Sequence, residues 1–136
     1  MVLRCLIVDD SPRFQRAARG LLEREGIVVV GVASTGAEAL QLTEKVRPDV
    51  TLVDIDLGGQ SGFEVVRQLH REAGLEPSQV ILISAHSEDD YADLIAASPV
   101  AGFLAKTTLS AGAIRDLLGL RDDGDLAGPV SGPRGK

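Results

Sequence analysis

Residues 3–26 read LRCLIVDDSPRFQRAARGLLEREG, and their order decides the architecture. Leu3 to Val8 is a nearly continuous apolar run, the pattern of a strand buried on both faces. Two carboxylates end it. Ser11 then supplies an N-cap hydroxyl and Pro12 a preset first helical φ, which predicts a helix from about Pro12 to Glu25, stopped by Gly26. A strand running through an acidic turn into a helix is one βα unit.

The same unit recurs along the chain. Ile27–Val32 is a second strand rich in β-branched residues. Ser34 or Thr35 caps a helix that runs to about Val46, with Pro48 beyond its end. Val50–Val53 is a short third strand, followed by the glycine-rich loop Leu57–Gly62 and a helix from about Phe63 to Ala73. Val80–Ile83 reads as the fourth strand and Glu88–Ala97 as the helix after it. A short strand at about Ala101–Leu104 and a helix from about Ser110 to Leu118 complete the set. Five βα units predict an α/β domain with a parallel, doubly wound sheet. Right-handed crossovers leave few arrangements, and the common one is the flavodoxin-like order 2-1-3-4-5, with its switch point between strands 1 and 3. From Arg121 the sequence turns to RDDGDLAGPVSGPRGK, rich in glycine, proline and mixed charge. This predicts a domain over residues 1–120 and a flexible tail over 121–136.

Composition narrows the function. The 136 residues carry a net charge of −6, with 44% hydrophobic and 25% charged side chains, which fits one folded domain and excludes global disorder. The acidic excess argues against a non-specific nucleic-acid binder. Aromatic residues are only 3% (Phe14, Phe63, Phe103 and Tyr91), too few for a base-stacking platform. The longest aliphatic stretch, Ile27–Ala33, is far shorter than the ~20 residues of a spanning helix. Asp9 and Asp10 cut the N-terminal apolar run in a way no signal peptide tolerates. A cytoplasmic location is therefore expected. Cys5 has no cysteine partner and reads as a small buried hydrophobe, while His70 and His86 read as surface residues.

Ligands of open α/β sheets bind beyond the carboxyl ends of the strands. The polar residues at those ends are Asp9 and Asp10, Asp54, Ser84 and Lys106. Strands 1 and 3 are neighbours in the expected order, so three carboxylates converge on one crevice. At ~5 Å and an effective dielectric of ~20 each pair repels by roughly 3 kcal/mol. A hard divalent cation relieves that repulsion, and Mg²⁺ is the natural choice for an all-oxygen site serving phosphoryl chemistry. A lysine and a hydroxyl at the same spot suit an anion beside the metal. Together they describe a phosphoryl-transfer site with a carboxylate as acceptor. Taken singly, each residue has a plainer role: Asp9 and Asp10 complement a helix dipole, Asp54 forms a turn, and Lys106 is solvated.

At this point the residues resemble a family, the receiver domain of bacterial two-component response regulators, over about residues 3–119. The matching segments are LIVDD, TLVDIDLGGQSGFEV, VILISAHS and AGFLAKT, each after a predicted strand and at the family's spacing. The resemblance implies that Asp54 is phosphorylated by a sensor histidine kinase or a phosphotransfer protein. It implies that Asp9, Asp10, Asp54 and the backbone carbonyl of Asp56 serve Mg²⁺, and that Lys106 and Ser84 contact the phosphoryl oxygens. Ser84 and Phe103 fall on the switch positions. They would pass the signal to the face of the fourth helix, fifth strand and fifth helix, where a downstream protein or a second copy binds. Phe14 and Ala17, one turn apart beside Arg13 and Arg16, would form a kinase-docking patch. The alternative for Phe14 is a core role with Ala18 and Leu21. No direct nucleic-acid or membrane contact is implied.

Two positions depart from the family pattern. Thr107 replaces the proline usual after the lysine, so a trans Lys106–Thr107 peptide is expected. This departure is frequent in receivers of the helix-turn-helix-output subfamily. Gly58 replaces a proline and is expected to loosen its loop. The 16 residues after Leu120 are too few and too polar for an output domain. A stand-alone regulator is the expectation. The alternatives are an N-terminal receiver fragment of a DNA-binding regulator and a degenerate receiver that acts as a docking module. Asp54-Ile-Asp56 also resembles the DxD motif of haloacid-dehalogenase-type phosphatases, but its place in the chain leaves little room for their cap. A flavin carrier is excluded by the acidic turn after strand 1. The chain is thus expected to catalyse only its own phosphorylation and dephosphorylation.

Overall fold

A computed structural model describes residues 2–86 and 88–120. The tail expected over 121–136 lies outside the described residues. Five strands, β1 (Arg4–Val8), β2 (Val28–Ala33), β3 (Val50–Asp54), β4 (Val80–Ser84) and β5 (Gly102–Ala105), alternate with α1 (Pro12–Arg24), α2 (Gly36–Val46), α3 (Gly62–Ala73), α4 (Ala92–Ala96) and α5 (Ala111–Leu117). All strand pairs are parallel and the order is β2-β1-β3-β4-β5, as the repeated βα pattern predicted. No helix among the described residues is long and apolar enough to cross a membrane.

Alternating strand residues face two apolar layers. Cys5, Ile7, Leu52, Ile81 and Ile83 pack with Ala18 and Leu22 of α1 and with Ile114 of α5. Leu6, Val8, Val53 and Leu82 pack with Ala39 of α2 and with Phe63, Val65 and Leu69 of α3. The three central strands are buried on both faces, so their sequences read as unbroken apolar runs. Cys5 sits in this interior, and burial pushes its thiol up to about 12, which keeps it an unreactive hydrophobe.

Local chemistry explains most boundaries. Ser11 caps α1 by accepting from the Phe14 N–H, with Pro12 in the first turn. Thr35, rather than Ser34, caps α2 by accepting from the Glu38 N–H, and Glu38 reaches back to the Ser34 N–H in a displaced form of the capping box. Ser61 and Ser110 cap α3 and α5. The helix expected over Glu88–Ala97 is a correction: Glu88–Tyr91 is a 3₁₀ turn and only Ala92–Ala96 is α-helical. Aspartates at 89 and 90 are weak helix formers, and Tyr91 gives α4 no side-chain cap. The fifth strand also begins one residue later than expected. Ala101 still donates its N–H to the Val80 carbonyl at the ladder's edge.

Gly62 opens α3 where the chain doubles back onto β3. Its N–H donates to the Ile55 carbonyl at 2.7 Å, and a Cβ added there would lie 2.1 Å from the Asp54 carbonyl oxygen and 2.8 Å from the Ile55 Cα. Only a residue without a side chain allows this approach. Gly62→Ala is expected to destabilise the domain by about 1–3 kcal/mol or more through forced backbone displacement. Chemical denaturation checks this, and a variant as stable as the wild type would show that the loop yields at no cost.

Candidate functional site

The carboxyl ends of β1, β3, β4 and β5 form one side of a cleft of about 250 Å³ lined by Asp10, Asp54, Asp56, Gly58, Ser84, Ala85, His86 and Lys106. Asp9, directly after β1, is 0% exposed and lies beneath this lining. Asp54 ends β3 at 5% exposure, and Ser84 ends β4 at 1%. Lys106 opens the 3₁₀ turn that follows β5. Carboxylate oxygens of Asp9, Asp10 and Asp54 all lie within 4.8 Å of one another. Every polar position singled out at the strand ends thus reaches one place.

One cation holds the cluster. Lys106 Nζ lies 2.6 Å from Asp9 Oδ2 and 3.0 Å from Asp54 Oδ2, with its side chain only 18% exposed. The other oxygens of the two acids are held by backbone donors. The Ser11 N–H donates to Asp9 Oδ1 at 2.8 Å, and the Asp56 N–H donates to Asp54 Oδ1 at 3.0 Å. Asp10, by contrast, is exposed at the mouth. Burial pushes the Asp54 carboxyl above its usual range. The Asp56 N–H and Lys106 oppose that shift, and the charge of Asp9 adds to it. For Lys106 burial acts downward, but the hydrogen bonds and charges of Asp9 and Asp54 win and raise it. The lysine is therefore a fixed cation at neutral pH.

The loop after β3 is folded tightly. The Leu57 N–H donates to the Gln60 carbonyl and the Gly62 N–H to that of Ile55, and neither bond uses the Asp56 carbonyl. The Asp56 side chain accepts the Gly58 N–H at 3.2 Å. Gly58 adopts φ +71°, a conformation closed to proline, and a Cβ added there would lie 3.2 Å from Asp10 Oδ2. Gly58, expected to loosen this loop, holds a left-handed turn in it. The Lys106–Thr107 peptide is trans, as expected, and the Thr108 hydroxyl donates to the Ala105 carbonyl to close the turn.

Ser84 and Phe103 lie on neighbouring strands at different depths. The Ser84 Oγ accepts the His86 N–H at 3.0 Å, and His86 is exposed at the cleft. Phe103, half-buried, packs against the layer of α2 and α3, as do Tyr91 and Ile95. His70 is exposed, and its ring Nδ1–H donates to the Leu75 carbonyl beyond α3. Ala17 is exposed and Phe14 half-buried, which serves neither the docking reading nor the core reading alone. What sequence reasoning missed is that the Phe14 ring lies under Lys106, with Nζ 4.4 Å from its centroid. It also missed Gln15, whose amide donates to the Asp9 carbonyl and to the Ser34 hydroxyl. A phenylalanine four residues after the acidic pair gave a signal for neither contact.

A doubly wound sheet carrying an acidic cluster at its switch point, with a largely covered lysine from beyond β5 reaching into it, defines the class of receiver modules. The model of the response regulator receiver domain matches residues 5–117. The chain belongs to that family. It is 30% identical over 111 residues to the transcriptional regulatory protein LiaR of Bacillus subtilis, covering 81% of this chain and 52% of that protein. Over 90 residues it is 38% identical to the protein-glutamate methylesterase/protein-glutamine glutaminase of Alkalilimnicola ehrlichii, covering 65% of this chain and 22% of that one. The crystal structure of a LuxR-family two-component response regulator from Aurantimonas sp. SI85-9A1 superposes with a TM-score of 0.74 at 26% identity, covering 89% of each chain. The chain spans about half, or less, of the length of the curated relatives it matches.

The raised Asp54 carboxyl has a consequence for stability. Its protonated form favours the fold below the ordinary carboxylate range, and that contribution is lost as pH rises through the elevated value. At neutral pH the ionised group therefore opposes folding. In buffer without divalent ions, Asp54→Asn is expected to raise Tm by a few degrees, on the order of 1 kcal/mol, because Lys106 keeps Asp9 as partner. The difference should vanish on acidification. A lower Tm for the variant at pH 7 would show that the Asp54–Lys106 attraction outweighs the burial cost.

Proposed function

We propose that this receiver is the phosphoacceptor of a two-component pathway, with Asp54 taking a phosphoryl group from a sensor histidine kinase or a phosphotransfer protein. The observation that carries this reading is the Lys106 ammonium seated between Asp9 and Asp54 at the floor of an acidic cleft. An oxygen of Asp54 forms the new bond to phosphorus as the bond from phosphorus to the donor imidazole breaks. Lys106 and the Ser84 hydroxyl, both lining the cleft, then hold the phosphoryl oxygens.

The donor set fits a hard divalent ion. Three clustered carboxylates against one ammonium leave two negative charges without compensation. Asp9, Asp10, Asp54 and the Asp56 backbone carbonyl would hold Mg²⁺. Bound there, the ion would offset the surplus carboxylate charge and so ease the approach of an anionic phosphoryl group. The working unit is residues 1–120, acting in the cytoplasm, with residues 121–136 taking no part in the chemistry. Phe14 and Ala17 form part of the surface that receives the kinase, with exposed Arg13 and Arg16 around them. The chain is not an enzyme towards other substrates.

A phosphoryl group on Asp54 adds charge and strong acceptor oxygens beside Ser84. The Ser84 hydroxyl turns to it and releases the His86 N–H, so the segment after β4 moves. Phe103, half-buried against the layer of α2 and α3, then repacks. The face of α4, β5 and α5 carries the signal to a downstream protein or to a second copy. Phosphorylation biases an existing equilibrium between two packings.

With Mg²⁺ and acetyl phosphate, intact-mass measurement is expected to show one added phosphoryl group, and Asp54→Asn to show none. Asp10→Asn should weaken Mg²⁺ binding by on the order of tenfold through loss of a charged ligand. Single-site labelling that persists in the Asn variant would overturn the assignment of Asp54.

Transmission is tested separately with beryllofluoride, which mimics the phosphoryl group. NMR shifts are expected to spread from Asp54 through residues 88–114, including Phe103, and to stop short in Ser84→Ala. Changes confined to the loops around Asp54 would rule out this route.

A further inference from the structure

We infer that Phe14 is a positioning residue for phosphoryl transfer, whose ring face holds the Lys106 ammonium in its working place. The inference rests on the reading of Asp54 as phosphoacceptor and adds a residue to that site. Lysine carries its charge on a flexible four-carbon stem, so its ammonium samples solvent unless something confines it. Here two of its approaches are filled by Asp9 Oδ2 at 2.6 Å and Asp54 Oδ2 at 3.0 Å. A third is covered by the Phe14 ring, whose centroid lies 4.4 Å from Nζ, within the range of a cation–π contact.

Both ends of that contact are themselves fixed. Phe14 lies in the first turn of α1, where its N–H donates to the Ser11 cap, and its ring packs on the layer of α1 and α5. Lys106 begins a short 3₁₀ turn in which Thr107 supplies no ring constraint on φ. The lysine must therefore be aimed from the side-chain end. The ring keeps the ammonium in the cleft when the Asp54 oxygen leaves it for phosphorus, so the cation need not reorganise as the charge develops. A purely structural Phe14 requires only apolar bulk, whereas this role requires a π face.

That difference sets the experiment. Acetyl phosphate is the donor, so loss of a kinase-docking surface does not enter. With wild type, Phe14→Leu and Phe14→Tyr at saturating Mg²⁺, the rate of Asp54 phosphorylation is measured against donor concentration. The saturating rate of Phe14→Leu is expected to fall about 3- to 10-fold, with the half-saturating donor concentration and Mg²⁺ affinity little changed, and Phe14→Tyr to stay within about twofold. NMR of the Lys106 side chain supplies a readout independent of turnover. Its terminal methylene should be shifted upfield by the ring current in wild type and Phe14→Tyr, and return to ordinary values in Phe14→Leu. Equal rates for Leu and wild type, equal losses in Leu and Tyr, or no upfield shift in wild type would each overturn the inference. If Phe14→Leu fails to fold, the wild-type shift and the Tyr rate still decide it. Absence of any wild-type phosphorylation would instead count against the reading of Asp54.

Discussion

One ammonium group bridges two of the three carboxylates clustered at the open end of the sheet, and the surrounding structure is arranged around that contact. Like charges within 4.8 Å of one another repel, and burying them adds the cost of lost hydration. Lys106 offsets part of this by bonding two acids at once, while backbone N–H groups of Ser11 and Asp56 bind the remaining oxygens. The balance is incomplete, and the elevated Asp54 carboxyl records it. A site left with surplus negative charge is poised to bind a cation and then accept an anion. That electrostatic state is what the proposed phosphoacceptor role of Asp54 requires.

The fold supplies the rigidity that such a cluster needs. Acids on flexible loops would separate, but Asp54 and Ser84 end strands buried on both faces, and Asp9 follows a third. The order β2-β1-β3-β4-β5 places β1 beside β3, so the first and third strand ends share a crevice although 45 residues separate Asp9 from Asp54. Gly62 lets α3 start directly against the Asp54 carbonyl, and Gly58 folds the intervening loop back towards Asp10. Glu25 joins the two helices on the lysine side by accepting the Ala111 N–H at 2.7 Å, which ties the end of α1 to the start of α5.

Much of this was legible before any coordinates. Strand and helix order, the cap at Ser11 and the polar residues at the strand ends all follow from local rules that act over a few residues. The short α4 was less legible, because its apolar spacing favours a helix while Asp89 and Asp90 weaken its first turn and no cap compensates. Gly58 was read as looseness, since a sequence shows that glycine permits many conformations and not which one its neighbours select. Asp9 and Asp10 are chemically identical neighbours, and one-residue alternation at the end of β1 buries the first and exposes the second.

By itself, then, the sequence determined the αβ alternation, the burial of the central strands on both faces and the set of polar groups at the strand ends. Those properties depend on periodicity and residue type, which are local. Only the tertiary structure decided that Lys106 is shared between Asp9 and Asp54, that the Phe14 ring lies against the same ammonium and that Phe103 is half-buried against the layer of α2 and α3. These contacts join segments far apart in the chain, and side-chain direction at each end must agree to within a few ångströms. Packing of helices on the sheet sets that agreement, and no local pattern encodes it.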